Sequence, residues 1–157
     1  MGAEIERRFL VRLDVLRQTR PPEWFEGGGA LIEQSYLAKD PWIRVRRKIL
    51  DGVVEAELTI KGRGTLVRPE YSYDIPVEES YELDKLARFG RITKLRRWCG
   101  SWEIDEFRGA LAGLWLAEIE LPDEHGQYDR HPWLGREVTY DERFTNAHLA
   151  EYGLPAE

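Results

Sequence analysis

The chain is poor in cysteine, with Cys99 alone among 157 residues, so no disulfide can form within it. It contains no apolar run long enough to span a bilayer and no basic-apolar leader, so a cytoplasmic protein with no membrane role is expected. Histidine is scarce: His125, His131 and His148 show none of the spacings by which histidines ligate a metal, and they read as surface or packing residues. Positive charge is in deficit, 23 Lys and Arg against 29 Asp and Glu for a net −6, which excludes a general nucleic-acid or anionic-membrane binder but not a local basic pocket. Repeats, linkers and low-complexity stretches are missing as well, so residues 1–157 are expected to form a single domain, whose oligomeric state, homodimer included, the sequence leaves open.

What the chain does have is alternation. Hydrophobic residues at 42% and charged residues at 33% are interleaved with period two along much of its length. The first eleven residues set the pattern, with Glu4, Glu6 and Arg8 on one strand face and Ile5, Phe9 and Val11 on the other, interrupted by Arg7. Further strands are expected over 30–38, 42–49, 53–61, 67–76, 91–99, 101–107 and 114–121, eight in all, with Asp51-Gly52 a strong hairpin turn. One or two helical turns fit 13–19, a helix with the apolar stripe Leu83, Leu86 and Ala87 fits 78–89, and a closing helix fits 144–152. The proline- and glycine-punctuated stretch 20–29 reads as an irregular connection, and 123–136 as mostly loop.

Nearly every strand carries a charged face of both signs. A solvated open sheet would also show one, but such faces usually mix Ser, Thr, Gln and Lys, whereas these are dominated by Arg, Glu and Asp, which suit defined ionic recognition. Eight antiparallel strands can close into a barrel and so remove their exposed edges. The fold expected is therefore mainly β: an eight-stranded closed tunnel with a charged interior, its apolar outside covered by a few helices and by Trp24, Phe25 and Trp133. A lumen with carboxylates and cations together would serve a polyanion and a divalent metal at once. Glu4, Glu6, Asp105, Glu118 and Glu120 suit the hard cations Mg²⁺ or Mn²⁺, and Arg44, Arg46, Lys61, Lys94 and Arg96 suit phosphate oxygens. Such a site would catalyse phosphoryl transfer by positioning and charge neutralisation.

The stretch Glu4-Ile-Glu-Arg-Arg-Phe-Leu-Val11 resembles the ExExK signature that opens CYTH domains, the triphosphate tunnel metalloenzymes. Further pieces follow in that family's order: Arg44-Val-Arg46, Leu58-Thr-Ile-Lys-Gly62, Arg68-Pro-Glu70, Lys94-Leu-Arg96, Glu103-Ile-Asp-Glu-Phe107, Ala117-Glu-Ile-Glu-Leu121 and the tail from Trp133 to Asn146. The resemblance, most of all to small bacterial members, implies metal-dependent hydrolysis of inorganic triphosphate or a related triphosphate. It implies metal ligands at Glu4, Glu6, Glu118 and Glu120, with Asp105 holding metal or orienting water. Phosphate contacts are implied for Arg8, Arg44, Arg46, Lys61, Arg68, Lys94, Arg96 and Arg143, with Glu70 orienting these cations. Glu118, Glu120, Asp105 and Arg8 are the residues expected to carry catalysis. A class IV adenylyl cyclase and a non-catalytic polyphosphate- or nucleotide-binding module are the competing readings. Two departures from the pattern stand out: Arg8 replaces the motif lysine, and Glu142 stands where similar proteins have a lysine. Arg8 holds its proton too tightly to act as a base but is well shaped to bind phosphate.

Overall fold

A computed structural model describes residues 5–62 and 69–156. The strands are β1 (Ile5–Val11), β2 (Ala30–Lys39), β3 (Trp42–Leu50), β4 (Val53–Lys61), β5 (Glu70–Asp74), β6 (Arg91–Cys99), β7 (Trp102–Phe107), β8 (Trp115–Leu121) and β9 (Leu134–Glu137). The helices are α1 (Leu13–Thr19), α2 (Pro22–Glu26), α3 (Val77–Asp84) and α4 (Asn146–Tyr152), with 3₁₀ turns at Gly109–Leu111 and Glu142–Phe144. All strands join one antiparallel sheet in the order β5-β4-β3-β2-β6-β7-β8-β1-β9.

The mainly antiparallel sheet with a few helices is as expected, but the closed eight-stranded tunnel is not. Among the described residues there are nine strands, and the sheet they form is open, ending at β5 on one edge and β9 on the other. The edges are its two shortest strands, five and four residues, and β5 is exposed along its whole length. The segment from Glu142 to Tyr152 lines the inner side of the sheet instead. β9 falls where a loop was expected; its Leu-Gly-Arg-Glu has no alternation to read, and Gly135 approaches Leu10 so closely that a Cβ would lie 2.9 Å from the carbonyl oxygen. α2 forms in the stretch read as irregular because Pro22 sits at its start, where a fixed φ and a missing N–H favour a helix. α3 stops at Asp84, five residues short of the expected end, and Leu86 is 60% exposed rather than part of an apolar stripe. Beyond it the amides of Arg88 and Phe89 both donate to the Tyr36 carbonyl, which pulls the chain onto β2.

Two apolar clusters hold the sheet. Outside, Phe9, Trp102, Ile104, Trp115, Ala117 and Ile119 pack with Leu16, Trp133, Trp24 and Phe25, so the three large residues singled out from the sequence do cover the apolar face. The second cluster, with Ile92, Phe107, Leu116, Val138, Phe144 and Leu149, lies on the other face. Leu116 shares strand parity with Glu118 and Glu120, and Leu10, its partner across the ladder, shares parity with Arg8 and Glu6. The inner face therefore runs from an apolar layer to a charged one along each strand.

On the outer side α3 covers a polar patch. Arg47, 5% exposed, donates to Glu33 at 3.2 Å and to Ser80 at 3.2 Å, pairs with Asp84, and lies over the Tyr81 ring at 4.1 Å.

α4 is seated by a glycine. Gly90 has φ +93°, and a Cβ there would lie 1.9 Å from the Ala150 carbonyl oxygen. Gly90→Ala combines backbone strain with a clash that neither side can relieve, so it should cost about 3 kcal/mol or more, measured by chemical denaturation. A loss below about 0.5 kcal/mol would mean that α4 is not held there.

Candidate active site

The inner face surrounds one cavity of about 810 Å³. Two sets of side chains reach it from opposite halves of the sheet. Glu6 and Arg8 of β1, Glu103 of β7, and Glu118 and Glu120 of β8 form one wall, while Arg44 and Arg46 of β3, Lys61 of β4 and Arg96 of β6 form the other. Strand pairing brings the first set together: Glu6 stands opposite Glu120 and Arg8 opposite Glu118 on the β1–β8 ladder. Parity alone puts these residues on one face, and register makes them neighbours.

The carboxylates differ in character. Glu118 is 6% exposed; burial opposes its charge, but Arg8, the hydrogen bond from Glu6 and the Lys94 ammonium outweigh that and hold its pKa below the ordinary range. Arg8 donates from Nε to Glu118 at 2.9 Å and has a second nitrogen 3.6 Å from Glu6. Glu6 goes the other way, its pKa pushed up to about 8 by burial within the cavity, then by the charge of Glu118 and their hydrogen bond. Its side chain keeps 47% of its surface and lines the cavity beside Glu118 and Glu120. The balance of charge and hydrogen bonding thus favours the proton on Glu6 and the charge on Glu118.

Asp105 and Lys94 lie deeper. Asp105, 1% exposed, accepts from Arg96 at 2.8 and 3.0 Å and pairs with Lys94 at 2.9 Å. Burial would raise its pKa, but the Lys94 charge and the Arg96 hydrogen bonds overcome this and hold it at about 2. With both oxygens engaged and its proton lost, Asp105 is a fixed anion that orients Arg96, not a side chain that lines the cavity. Lys94, also 1% exposed, further donates to the Asn146 side chain at 3.0 Å and so ties α4 to the sheet. Arg96 is raised in pKa, burial being overcome by Asp105 and Glu103, and it pairs with both.

Arg46 differs from these cations. It forms no ion pair with a described residue, and burial together with its neighbours Arg96 and Arg44 lowers its pKa. Arg44 makes long contacts, 3.5 Å to Glu57 and 3.3 Å to Thr59, and also interacts with the Tyr36 hydroxyl. Of the remaining expected site residues, Glu70 lines the cavity. Arg143 does not, because Asp141 accepts from its guanidinium at 2.9 and 2.7 Å. Glu4 and Arg68 fall outside the described residues. The cavity also takes in Gln34, Tyr36, Lys39, Trp42, Asn146, His148 and Glu151, none of them singled out from the sequence. For β2 the signal was present, since Gln34 and Tyr36 share parity, but a strand with mostly apolar neighbours hides it.

No helix among the described residues is long and apolar enough to cross a membrane. Among those residues, too, no three acidic, histidine or cysteine side chains converge into a ready-made metal cage.

No protein-family model matches the chain. Two known proteins resemble it over nearly all of their length. An inorganic triphosphatase of Acetivibrio thermocellus is 40% identical over 157 residues, 96% of this chain and 95% of that protein. The chain belongs to the family of inorganic triphosphatases. An inorganic triphosphatase of Nitrosomonas europaea is 33% identical over 155 residues, 94% of this chain and 96% of that protein. The crystal structure of the inorganic triphosphatase NE1496 superposes with a TM-score of 0.64 at 29% identity, covering 99% of each chain. The likeness to the triphosphate tunnel enzymes carried by the motifs therefore holds.

Glu6 links the site to stability. In the folded chain it keeps its proton to about pH 8, whereas its ordinary value is 4.5. Between those values the folded state binds more protons than the unfolded, so stability falls as pH rises through that window. In divalent-free buffer the melting temperature should fall from about pH 5 to about pH 8, and Glu6→Gln should flatten the decline. Equal slopes in the two proteins would show that Glu6 does not carry this effect.

Proposed function

We propose that this chain is a divalent-metal-dependent triphosphatase that hydrolyses inorganic triphosphate, or a related short triphosphate, within the cavity. The observation that carries this is the opposition of walls: Glu6, Glu118 and Glu120 on one side, and Arg44, Arg46, Lys61 and Arg96 on the other, with Arg46 in no close ion pair among the described residues. The inorganic triphosphatases to which the chain is related support the same substrate.

The donors fit a hard cation. They are carboxylate oxygens, and Glu6 keeps a proton beside Glu118 where a divalent ion would provide positive charge instead. Glu6, Glu118 and Glu120 would hold Mg²⁺ or Mn²⁺, with Glu4 as a further ligand expected from the motif. Mg²⁺ commonly takes one or two carboxylates together with substrate oxygens and water, so a closed protein cage is not required. When bound, the ion would neutralise phosphate charge and polarise the attacking water.

The protein's own groups do the rest. Arg44, Arg46, Lys61 and Arg96 grip phosphate oxygens, and Arg68 adds to them by the motif. Arg8 keeps Glu118 ionised and in place through the bond from Nε, a positioning role that the motif's lysine would fill with one ammonium. Glu120, exposed to the cavity where Glu118 is buried, takes the proton of the attacking water. Asp105 contributes by holding Arg96 and Lys94, and Arg143, turned onto Asp141, is left out of the set.

Phosphate release from tripolyphosphate and nucleoside triphosphates, with Mg²⁺ and Mn²⁺ compared, tests this directly. Turnover should vanish with EDTA. Glu120→Gln should lower it by about 10²-fold or more, while Arg8→Lys should change it by less than about tenfold. Cyclic nucleotide formed from ATP in place of phosphate would favour a cyclase. A parent that binds without turnover but is revived by Arg8→Lys would favour a binding module that lost its base.

A further inference from the structure

We infer that the rim of the cavity carries a stacking subsite, built on Trp98 and Lys48, for the base of a nucleoside triphosphate whose phosphates lie among the cavity cations. The subsite rests on the triphosphatase reading and adds to it the class of organic group that can follow the phosphate chain. Trp98 is the exception among the six tryptophans. Trp24, Trp42, Trp102, Trp115 and Trp133 each pack ring against ring. Trp98 has no ring partner among the described residues and stays 40% exposed. An open indole near a hairpin turn is ordinarily a side chain that nothing covers; its position gives this one a use.

On β6, Trp98 shares parity with Lys94 and Arg96 and lies one pleat step, roughly 6.6 Å, beyond Arg96. Across the β6–β7 ladder it stands opposite Glu103, which lines the cavity. Lys48 takes the matching place on β3, one step beyond Arg46. Its ammonium lies over the Trp98 ring at 6.0 Å, the outer limit of such contacts. Ala30 of the intervening β2 is small enough to let the two meet. Lys48 is half-buried and forms no ion pair with a described residue. The row Arg44, Arg46, Lys48 thus continues past the cavity lining and ends beside an open indole. The Trp98 carbonyl accepts from the Trp24 indole at 3.4 Å, which ties this end of β6 to the outer core.

An inorganic chain would use the cations and leave the indole idle. A nucleoside triphosphate would use both. With its outer phosphates among Arg44, Arg46 and Arg96, its α-phosphate meets Lys48 and its ribose carries the base onto Trp98. Every base has a π face, and stacking on an aromatic side chain is a main source of affinity for bases. Lys48 exchanges its ring contact for the phosphate and so uncovers the indole. A ring that is itself cationic would meet that ammonium, so a neutral base suits the pair. Tyr36 and Trp42, which line the cavity elsewhere, are already packed edge to face at 5.7 Å.

The test measures binding by calorimetry, with Mg²⁺ present, of the methylene-bridged analogues of tripolyphosphate and ATP, which resist hydrolysis. Wild type is compared with Trp98→Ala and Trp98→Phe, each checked for folding by its melting temperature. Trp98→Ala should weaken the ATP analogue about tenfold or more relative to the tripolyphosphate analogue, and Trp98→Phe should restore most of that loss. The ATP analogue should also quench indole fluorescence in the wild type but not in Trp98→Phe, a comparison that decides the matter if Trp98→Ala does not fold. An unchanged affinity ratio in Trp98→Ala, or quenching that persists in Trp98→Phe, would overturn the subsite and leave the triphosphatase reading intact. So would a ratio moved by Trp42→Ala instead, or binding of the tripolyphosphate analogue alone. If both analogues bind but neither tripolyphosphate nor ATP is hydrolysed, the triphosphatase reading fails and the ratio still decides the subsite. If neither analogue binds, both fail.

Discussion

Asp105 is the residue on which the inner face depends. Buried carboxylates are costly unless paired, and this one is paired twice, with Lys94 and Arg96, on a strand whose opposite face belongs to the apolar core. Each pairing fixes something else. Arg96 is held with its guanidinium along the cavity wall, and Lys94 is held against Asn146, so α4 is placed by the same anion that orients a phosphate-binding candidate. Removing one partner of such a buried set typically costs about 3–5 kcal/mol. Here it would also release a cavity cation and the tail helix together. The pair is a framework for the site before it is part of its chemistry.

Much of the fold was legible because the alternation is so regular. Asp51 at φ 51° and Gly52 at φ 78° form the turn that their types require, and the strands on either side pair from Trp42 with Lys61 to Leu50 with Val53. Closure was not legible. Strand count says that a barrel is possible, but whether the edges meet depends on how long the edge strands are and on what else lies against the inner face. Glu70–Asp74 falls within a strand that the alternation announced, but Leu134–Glu137 is too short for its pattern to announce pairing, and nothing in the closing helix reveals that it turns inward. The Phe144 and Leu149 side chains read as ordinary packing residues, which they are; the surprise is that they pack on the charged face's own end.

The site was legible to the extent that parity determines it. Glu6, Arg8, Arg44, Arg46, Lys61, Arg96, Glu118 and Glu120 all reach the cavity from the faces their strands assigned them. Parity does not say which members of a face are already engaged. Asp105 has the correct parity but lies behind the cavity wall, paired with Lys94 and Arg96 that line it, and only the register of β6 against β7 reveals it. It also says nothing about arginines on the opposite face. Arg47 and Arg97 sit one residue away from Arg46 and Arg96 and are more buried than either, yet they serve the outer packing. Arg47 acts through Glu33 and Asp84, while Arg97 binds Glu106 and the Phe25 carbonyl beneath the Trp24 ring. A motif scored by arginine content would not separate these two pairs.

The cations of the inner face thus divide by how their charge is met. Lys94, Arg96 and Arg8 each have carboxylates within bonding distance, so their desolvation is offset inside the protein. Arg44 is weakly met and Arg46 forms no close ion pair with a described residue, Glu57 and Asp105 acting on it only from a distance, while Arg96 stands near enough to depress the Arg46 pKa. Crowded like charges oppose folding when the cavity is empty and favour it when an anion arrives, because a ligand that binds only the folded state adds its binding free energy to stability. On the opposite wall Glu6 and Glu118 relieve their own repulsion by retaining a proton. The two walls are thus incomplete in opposite senses, one short of negative charge and the other short of positive. A metal–triphosphate complex supplies both deficits in one ligand, whereas either component alone would complete only one wall.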